Sequence, residues 1–303
     1  MSIDFLAIGN LTRDTTPQGF RLGGTVSFAA VTARRLGWRP GILTRASLAG
    51  LKPGDPGTTG MLRTTGLPDT PLAGIPVHLM PSPVTTTFTN IYTARGRTQV
   101  IKAVADPVTP DGLPPEWAQT PVVLLGSIAR EIPSSWADVF PNSILGIAPQ
   151  GNMRNWDAAG HVFPARWEDA GPLLRRADAV VLSREDVGGD EAYIAELAAQ
   201  TRLLIVTDGW HGATVYQGEE ITRIPPRAAH EVDPTGAGDV FATSFLLRLA
   251  ETGDPLVSAR FANVVASISV EAPGMDAIPT RAEVDNWLAA DATAAITAGN
   301  QQT

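Results

Sequence analysis

The sequence predicts an α/β fold in which helices cover both faces of a mainly parallel β-sheet. The first observation is a set of short apolar runs, such as residues 122–125 and 179–182. In these runs polar residues do not alternate with apolar ones, as is typical of strands that are buried on both faces. The second observation is that helical patterns, such as residues 25–36 and 191–200, lie between strands, an alternation that indicates parallel pairing. We therefore expect a three-layer αβα sandwich formed by a single domain, residues 1–303.

Each predicted strand is an apolar run of a few residues. The predicted strands are 3–8, 41–44, 122–125, 144–147, 179–182 and 203–206. The first helix, 25–36, is ended by Gly37, and a later apolar helix begins near Val240. Ligands of such sheets bind beyond the carboxyl ends of the strands. The loops after residue 206 and before residue 240 are therefore expected at the functional edge.

Residues 84–104 depart from this pattern. They are rich in threonine and alternate in polarity, with a turn at 94–97. Alternation of this kind is typical of a half-exposed β-hairpin and not of a strand between two helical layers.

Composition excludes several classes of protein. The 303 residues are 44% hydrophobic and 18% charged, which is typical of a soluble globular protein. The net charge is −8, so a basic face for nucleic acid is not expected. With no cysteine, disulfides and thiolate zinc sites are excluded, and the four histidines show no metal-ligand spacing. We find no transmembrane run and no signal peptide, and we expect a cytoplasmic location.

The most informative segment is 233–239, Asp-Pro-Thr-Gly-Ala-Gly-Asp, which runs directly into the apolar helix. The amides of Gly236, Ala237 and Gly238 are expected to lie at a helix N-terminus, where unpaired N–H groups can bind an anion. Asp239 follows them and can accept a proton from an attacking group. Anion stabilisation beside a base is what phosphoryl transfer requires.

Three other interpretations of this segment were weighed. It could be an ordinary tight turn with Asp239 as a helix cap. A dinucleotide fingerprint is disfavoured because Phe241 occupies the place of its third glycine. A Walker A loop is excluded because the only lysines, Lys52 and Lys102, do not follow a glycine.

Segment 233–239 resembles the C-terminal signature of the ribokinase family, the PfkB carbohydrate kinases. Three further motifs occur in the order of that family: the diglycine Gly23-Gly24 before a helix that ends in Arg-Leu-Gly, the turn 207–212, and Pro-Thr-Arg at 279–281. The resemblance extends across most of the chain. It implies a small β lid over the substrate, formed by segments 11–22 and 84–104, and its exposed edge makes a homodimer a candidate assembly.

The resemblance also implies a donor site for ATP and Mg²⁺, with K⁺ as a candidate activator. Nucleotide contacts are assigned to Thr207, Gly209, Gly212 and Asn263, although a β-turn and helix packing would also account for these residues. Ser183 and Asp186 replace the Asn and Glu that organise the metal and phosphates in the family. Glu185 could substitute for Asp186, and a solvated helix start is the ordinary alternative. Asp233 is either a brace of the turn or a cation ligand.

On the acceptor side, eight residues match positions that hold the substrate. They are Asp14, Gly23, Gly24 and Ser27, then Phe88 and Asn90 from the lid, then Gln150 and Arg154. Ser27 stands where many sugar kinases have asparagine. Residues 149–154 are more similar to myo-inositol kinases than to ribokinase. Gln150 could bind a hydroxyl of the substrate. Arg154 could lie near the transferred phosphate, with a surface salt bridge as an equal alternative.

The sequence therefore predicts an ATP-dependent kinase that phosphorylates a hydroxyl of a small sugar or cyclitol, with Asp239 as general base. The alternatives are a nucleoside kinase and a non-catalytic sugar- or nucleotide-binding protein of the same fold. A nicotinamide-dependent oxidoreductase is disfavoured, because only Gly9 follows the first strand where a glycine-rich fingerprint would be needed.

Overall fold

The computed structural model describes residues 2–16, 19–47, 62–64, 67, 69–93 and 96–300. The helices are α1 Thr25–Arg35, α2 Gly171–Arg176, α3 Glu191–Ala198, α4 Ala237–Thr252, α5 Pro255–Ser269 and α6 Arg281–Asn300. The strands are β1 Phe5–Ile8, β2 Thr12–Thr16, β3 Gly19–Gly23, β4 Pro40–Ala46, β5 Leu62–Thr64, β6 Val77–Pro81, β7 Thr86–Thr93, β8 Gly96–Ala103, β9 Val122–Gly126, β10 Ile144–Ala148, β11 Arg154–Trp156, β12 Val162–Pro164, β13 Ala179–Ser183, β14 Leu204–Thr207, β15 Ala213–Gln217 and β16 Glu220–Ile224. All six strands predicted from apolar runs are present, within a few residues of the predicted bounds.

The large sheet has the order β16-β15-β14-β13-β10-β9-β1-β4-β6-β5. Its central pairs, from β14 to β6, are parallel. Antiparallel pairing is confined to the two edges, where β15 and β16 form a hairpin and β5 pairs with β6. The mainly parallel sheet predicted from the sequence is therefore confirmed.

Two hydrophobic cores lie on opposite faces of this sheet. Alternate residues of β1 face opposite ways, with Phe5 and Ala7 in one core and Leu6 and Ile8 in the other. Apolar residues of α1, α4 and α5 fill the first core, and those of α2 and α3 fill the second. The fold is thus a three-layer sandwich, as predicted.

A second, four-stranded sheet has the order β3-β2-β7-β8. Strands β2 and β3 arise from the predicted lid segment 11–22, and β7 and β8 form the hairpin predicted over 84–104. Residues 94 and 95 of its turn lie outside the described residues. We call this four-stranded sheet the lid; the treatment of the whole chain as one domain stays a prediction.

The sequence did not indicate the short hairpin β11–β12, whose strands pair antiparallel over residues 154–164. It also missed the hairpin β15–β16 at the sheet edge. Both consist of strands too short or too polar to give a clear periodic pattern. In the part of the chain that is described, each helix is too short or too polar to cross a lipid bilayer.

Candidate active site

The carboxyl ends of the parallel strands bring together residues that are far apart in the chain. Asn10 follows β1, Ser127 follows β9, and Gln150 follows β10. Ser183 and Thr207 end β13 and β14 in register. Since the strands run in the same direction, these residues share one edge of the sheet, where ligands bind in this class of fold.

The loop before α4 is held by a left-handed glycine. Gly236 has φ +80°, and a Cβ at this position would lie 2.3 Å from the ring of Phe28 in α1. Both the backbone conformation and the close ring contact require glycine here. The packing of α1 against this turn therefore sets where α4 begins.

Asp233 braces the start of the same loop. One carboxylate oxygen accepts from the Thr235 amide at 3.0 Å, and the other accepts from the Gly274 amide at 3.0 Å and from the Arg21 guanidinium at 3.1 Å. Burial alone would raise the pKa of Asp233, but these hydrogen bonds and Arg21 outweigh it and lower that pKa. The guanidinium of Arg21 already neutralises this carboxylate. These contacts therefore favour Asp233 as a brace of the turn over its alternative role as a cation ligand.

The amides predicted to bind an anion differ in whether they are already hydrogen-bonded within the protein. The Ala237 amide donates to the Pro234 carbonyl at 3.2 Å. Within the described residues, the amides of Gly236, Gly238 and Asp239 have no hydrogen-bond acceptor. A Cβ on Gly238 would face open space. Three unpaired N–H groups therefore remain at the helix start, but they are not the same three that the sequence suggested, because Asp239 takes the place of Ala237.

Asp239 has a strongly perturbed carboxyl group. The residue is partly exposed, but its carboxyl group is largely desolvated by the surrounding protein. Desolvation raises its pKa to about 6, although the nearby Thr25 hydroxyl and the charge of Arg154 lower it, and Asp186 raises it. The buried Thr25 hydroxyl has no hydrogen-bond partner at bonding distance among the described residues. A carboxylate with a pKa near 6 is a stronger base than an ordinary aspartate and is still ionised at neutral pH.

Arg154 begins β11, and its charge acts on Asp239. Its carbonyl accepts a hydrogen bond from Arg130 Nε at 2.6 Å. Arg130 itself adopts a left-handed backbone, with φ +62°. The structure thus places a guanidinium near Asp239. Contact of Arg154 with the transferred phosphate stays a prediction.

Asp186 is held in place by neighbouring loops. Its side chain accepts from Gln150 Nε2 at 2.9 Å and from the Ser183 amide at 2.8 Å. In turn, the Asp186 amide donates to the Ser183 hydroxyl at 3.1 Å. Gln150, predicted to bind substrate, is therefore engaged with the predicted metal ligand. Glu185 is exposed to solvent.

Metal binding by protein groups alone is not favoured here. Among the described residues, three or more His, Asp or Glu side chains do not converge on one point. Mg²⁺ in kinases is, however, commonly held by one or two carboxylates together with the substrate phosphates. Asp186 lies close enough to influence Asp239 and fits this donor set, whereas Asp233, paired with Arg21, does not.

Of the predicted nucleotide residues, Thr207 ends β14, Gly209 and Gly212 lie in the tight turn after it, and Asn263 lies in α5. The Thr207 hydroxyl donates to the Leu182 carbonyl at 3.3 Å, and a Cβ on Gly212 would lie 2.2 Å from the Ile224 carbonyl oxygen. Gly209 has φ +48° with open space around it. The Asn263 amide donates to the Pro225 carbonyl at 3.0 Å. These contacts give most of the residues a structural role. Their contact with a nucleotide stays a prediction.

Residues on the acceptor side divide into two groups. Glycines 23 and 24 let β2 approach closely, since a Cβ on Gly23 would lie 2.9 Å from an Asp14 carboxylate oxygen. By contrast, Ser27 is fully buried and donates to the Gly23 carbonyl at 2.7 Å, and Phe88 is buried in a cluster with Ile101 and Ala129. Their surroundings count against direct substrate contact.

Asn90 lies on the lid and accepts from Gln99 Nε2 at 3.2 Å. This bond joins β7 to β8, in which the two residues face each other. Asn90 is partly exposed. Substrate contact through Asn90 stays a prediction.

Sequence reasoning missed Glu131, a carboxylate that is only 1% exposed. It accepts from the Asn10 amide at 3.1 Å, the Ala129 amide at 2.7 Å and the Ser127 hydroxyl at 3.1 Å. It therefore ties the loop after β1 to the loop after β9. The available signal was a carboxylate placed a few residues after a buried strand, at the edge where ligands are expected.

Comparison with known proteins finds a family match over part of the chain. Residues 176–281 match the model of the pfkB family of carbohydrate kinases. This match confirms the family resemblance found in the sequence. The matched segment includes the turn 233–239 and therefore Asp239.

Among curated relatives, fructokinase-5 of Arabidopsis thaliana is described as probable and is 30% identical over 157 residues, 48% of this chain and 48% of the relative. The ribokinase of Bacillus subtilis strain 168 is 40% identical over 93 residues, 30% of this chain and 32% of the relative. Inositol 3-kinase of Arabidopsis thaliana is 34% identical over 84 residues, 27% of this chain and 24% of the relative. The chain thus spans half or less of the length of these curated relatives.

Solved structures agree with the fold over nearly the whole chain. A pyrophosphate-dependent kinase of the ribokinase family, complexed with a pyrophosphate analog and myo-inositol, superposes with TM-score 0.72 at 20% identity and covers 93% of this chain and 99% of that one. Arabidopsis thaliana ribokinase, complexed with ribose and ATP, gives TM-score 0.66 at 18% identity, covering 94% and 98%. The chain has the ribokinase fold.

Proposed function

We propose that this ribokinase-like protein transfers the γ-phosphoryl group of ATP to a hydroxyl of a small sugar or cyclitol. The observation that carries the proposal is the juxtaposition of unpaired amides at the start of α4 with the perturbed carboxylate of Asp239. The family match includes both features. The curated relatives named above are kinases of a sugar or of inositol.

In the proposed reaction, Asp239 accepts the proton of the acceptor hydroxyl while that oxygen attacks the γ-phosphorus, and ADP leaves. A positioned base of this kind contributes roughly 10²–10⁴-fold. The amides of Gly236, Gly238 and Asp239 donate to the oxygens of the transferring group, and Arg154 offsets its charge. The unpaired amides at the start of α4 and the charge of Arg154 near Asp239 support this assignment.

Mg²⁺ bound with ATP would neutralise charge on the donor phosphates, and Asp186 is the residue we propose to hold it. Asp233 is proposed as a brace of the loop. A requirement for K⁺, a cytoplasmic location and a homodimer through the lid stay predictions.

The proposal is tested by a screen for phosphoryl transfer. The purified protein is incubated with Mg²⁺ and with ATP or inorganic pyrophosphate, against a panel of hexoses, pentoses, inositols and nucleosides. We expect ADP release that depends on a sugar or an inositol. If only nucleosides support turnover, the protein is a nucleoside kinase, the alternative given above. If only pyrophosphate supports turnover, pyrophosphate and not ATP is the phosphoryl donor. Ligand binding without any turnover would contradict the kinase proposal.

The rate should depend on pH through Asp239. Because desolvation raises the pKa of this carboxyl to about 6, the protonated form accumulates below that pH and cannot accept a proton. We expect kcat/KM for a polyol acceptor, which does not titrate in this range, to fall about tenfold per pH unit below pH 6. Activity that is constant down to about pH 4, the ordinary range of an aspartate, would contradict this role.

A further inference from the structure

The hairpin β11–β12 connects the main sheet with the lid. At its base, the Met153 carbonyl accepts from the Ala165 amide at 2.8 Å, and Met153 is fully buried. Arg130 holds the carbonyl of Arg154 on the same side. The end of the hairpin that carries Arg154 is therefore attached to the body of the protein.

The far end of the hairpin contacts the lid. The Ile101 amide of β8 donates to the Gly160 carbonyl at 2.8 Å, and Val100 and His161 form an antiparallel bridge. Gly160 has φ +86°, and a Cβ there would lie 2.3 Å from the Ile101 carbonyl oxygen. Any side chain at residue 160 would push the hairpin and β8 apart.

The hairpin is also internally stiffened. The Asp157 carboxylate accepts from the amides of Ala159 and His161, each at 2.9 Å. Trp156 and Val162 pack against the cluster that contains Phe88 and Ile101 of the lid. A displacement of the hairpin tip would therefore be transmitted to its base.

We infer that Gly160 is a positioning residue for the proposed phosphoryl transfer: by docking the hairpin on β8, it sets the position of Arg154 relative to Asp239. This inference rests on the proposed function and adds to it a mechanical link between the lid and the charged groups of the site. The charged groups that act on Asp239 are Arg154 from the hairpin and Asp186 from the loop after β13. Of these, only Arg154 belongs to the hairpin.

The test is Gly160→Ala. We expect kcat/KM to fall between roughly tenfold and 100-fold, as misplacement of a catalytic group by a distant change can do. The acid limb of the pH profile should move to higher pH, since Arg154 lowers the pKa of Asp239 and would do so less effectively. In an Arg154→Gln background, Gly160→Ala should cause no further loss, because the two changes remove the same interaction.

Gly218→Ala is the matched control. Gly218 has φ +59° in the turn between β15 and β16, with open space around its Cβ position, so it reproduces the backbone strain without the contact. We expect its pH profile to be that of the wild type. If Gly160→Ala does not fold, Asp157→Ala loosens the same hairpin tip without a clash and should shift the acid limb in the same direction.

Two results would overturn the inference: an unshifted acid limb in the hairpin variant that folds, or an equal loss of kcat/KM with and without Arg154. An NMR titration of the Asp239 carboxyl carbon, assigned by comparison with Asp239→Asn, reports the same coupling without turnover. It therefore separates failure of the inference from failure of the proposed function, which the wild-type assay alone decides.

Discussion

Replacing Asp239 with asparagine is expected to lower kcat at least ~10²-fold. Asparagine has nearly the same shape but cannot accept the proton of the acceptor hydroxyl, so the loss should appear in kcat with little change in donor binding. The measurement is steady-state kinetics together with titration calorimetry of ATP. Asp285→Asn, on the exposed surface of α6, is the control and should retain wild-type turnover. Full activity of the Asp239 variant would remove this carboxylate from the mechanism.

The same substitution should stabilise the protein at pH 8. The pKa of Asp239 is raised from 3.8 to about 6, so ionisation is disfavoured in the folded state, by up to about 3 kcal/mol. This cost is absent below the unfolded pKa and complete above the folded pKa. We therefore expect the free energy of unfolding of Asp239→Asn to exceed that of the wild type at pH 8 and to match it near pH 3. Urea unfolding at both pH values measures the difference.

Gly238→Ala is expected to reduce kcat/KM about 10²-fold without destabilising the protein. A methyl group at this position meets no protein atom within 4 Å, so the fold accommodates it. Within the first turn of α4, alanine is preferred over glycine by up to about 1 kcal/mol. The methyl would occupy open space at the start of α4, where we place the transferring phosphoryl group. Activity and thermal stability should therefore change in opposite directions.

Gly236→Ala provides the contrast. At φ +80° and with a Cβ 2.3 Å from the Phe28 ring, alanine is strained and overpacked. We expect a loss of about 2–4 kcal/mol of stability from these two effects together. If Gly238→Ala is instead as active as the wild type, the phosphoryl group does not approach this turn, and the proposed anion site is wrong.

The predicted residues differ in how well their roles could be inferred. Segment 233–239 suggested a chemistry because the amides proposed to bind an anion and the carboxylate are neighbours in the chain. Ser27 and Phe88 were less certain because a motif specifies a residue but not the direction of its side chain. Packing of α1 and of the lid hairpin buries both.

Local pattern also could not show which amides remain unpaired. The Ala237 amide is engaged by Pro234, a detail that depends on the left-handed conformation at Gly236 and on its contact with Phe28. Glu131 and the hairpin β11–β12 were missed for a related reason. Their importance comes from partners in distant strands and loops.

The sequence by itself determined the six apolar strands that it predicted, the mainly parallel sheet and the position of the turn 233–239 at the start of a helix. These properties depend on hydrophobic periodicity, on the positions of glycines and on residues that are neighbours in the chain. All of these are visible in the sequence. Only the tertiary structure decided the basicity of Asp239 and the place of Arg154. Desolvation and charge interactions depend on distances through space, and the groups that act on Asp239 come from α1, from the hairpin and from the loop after β13.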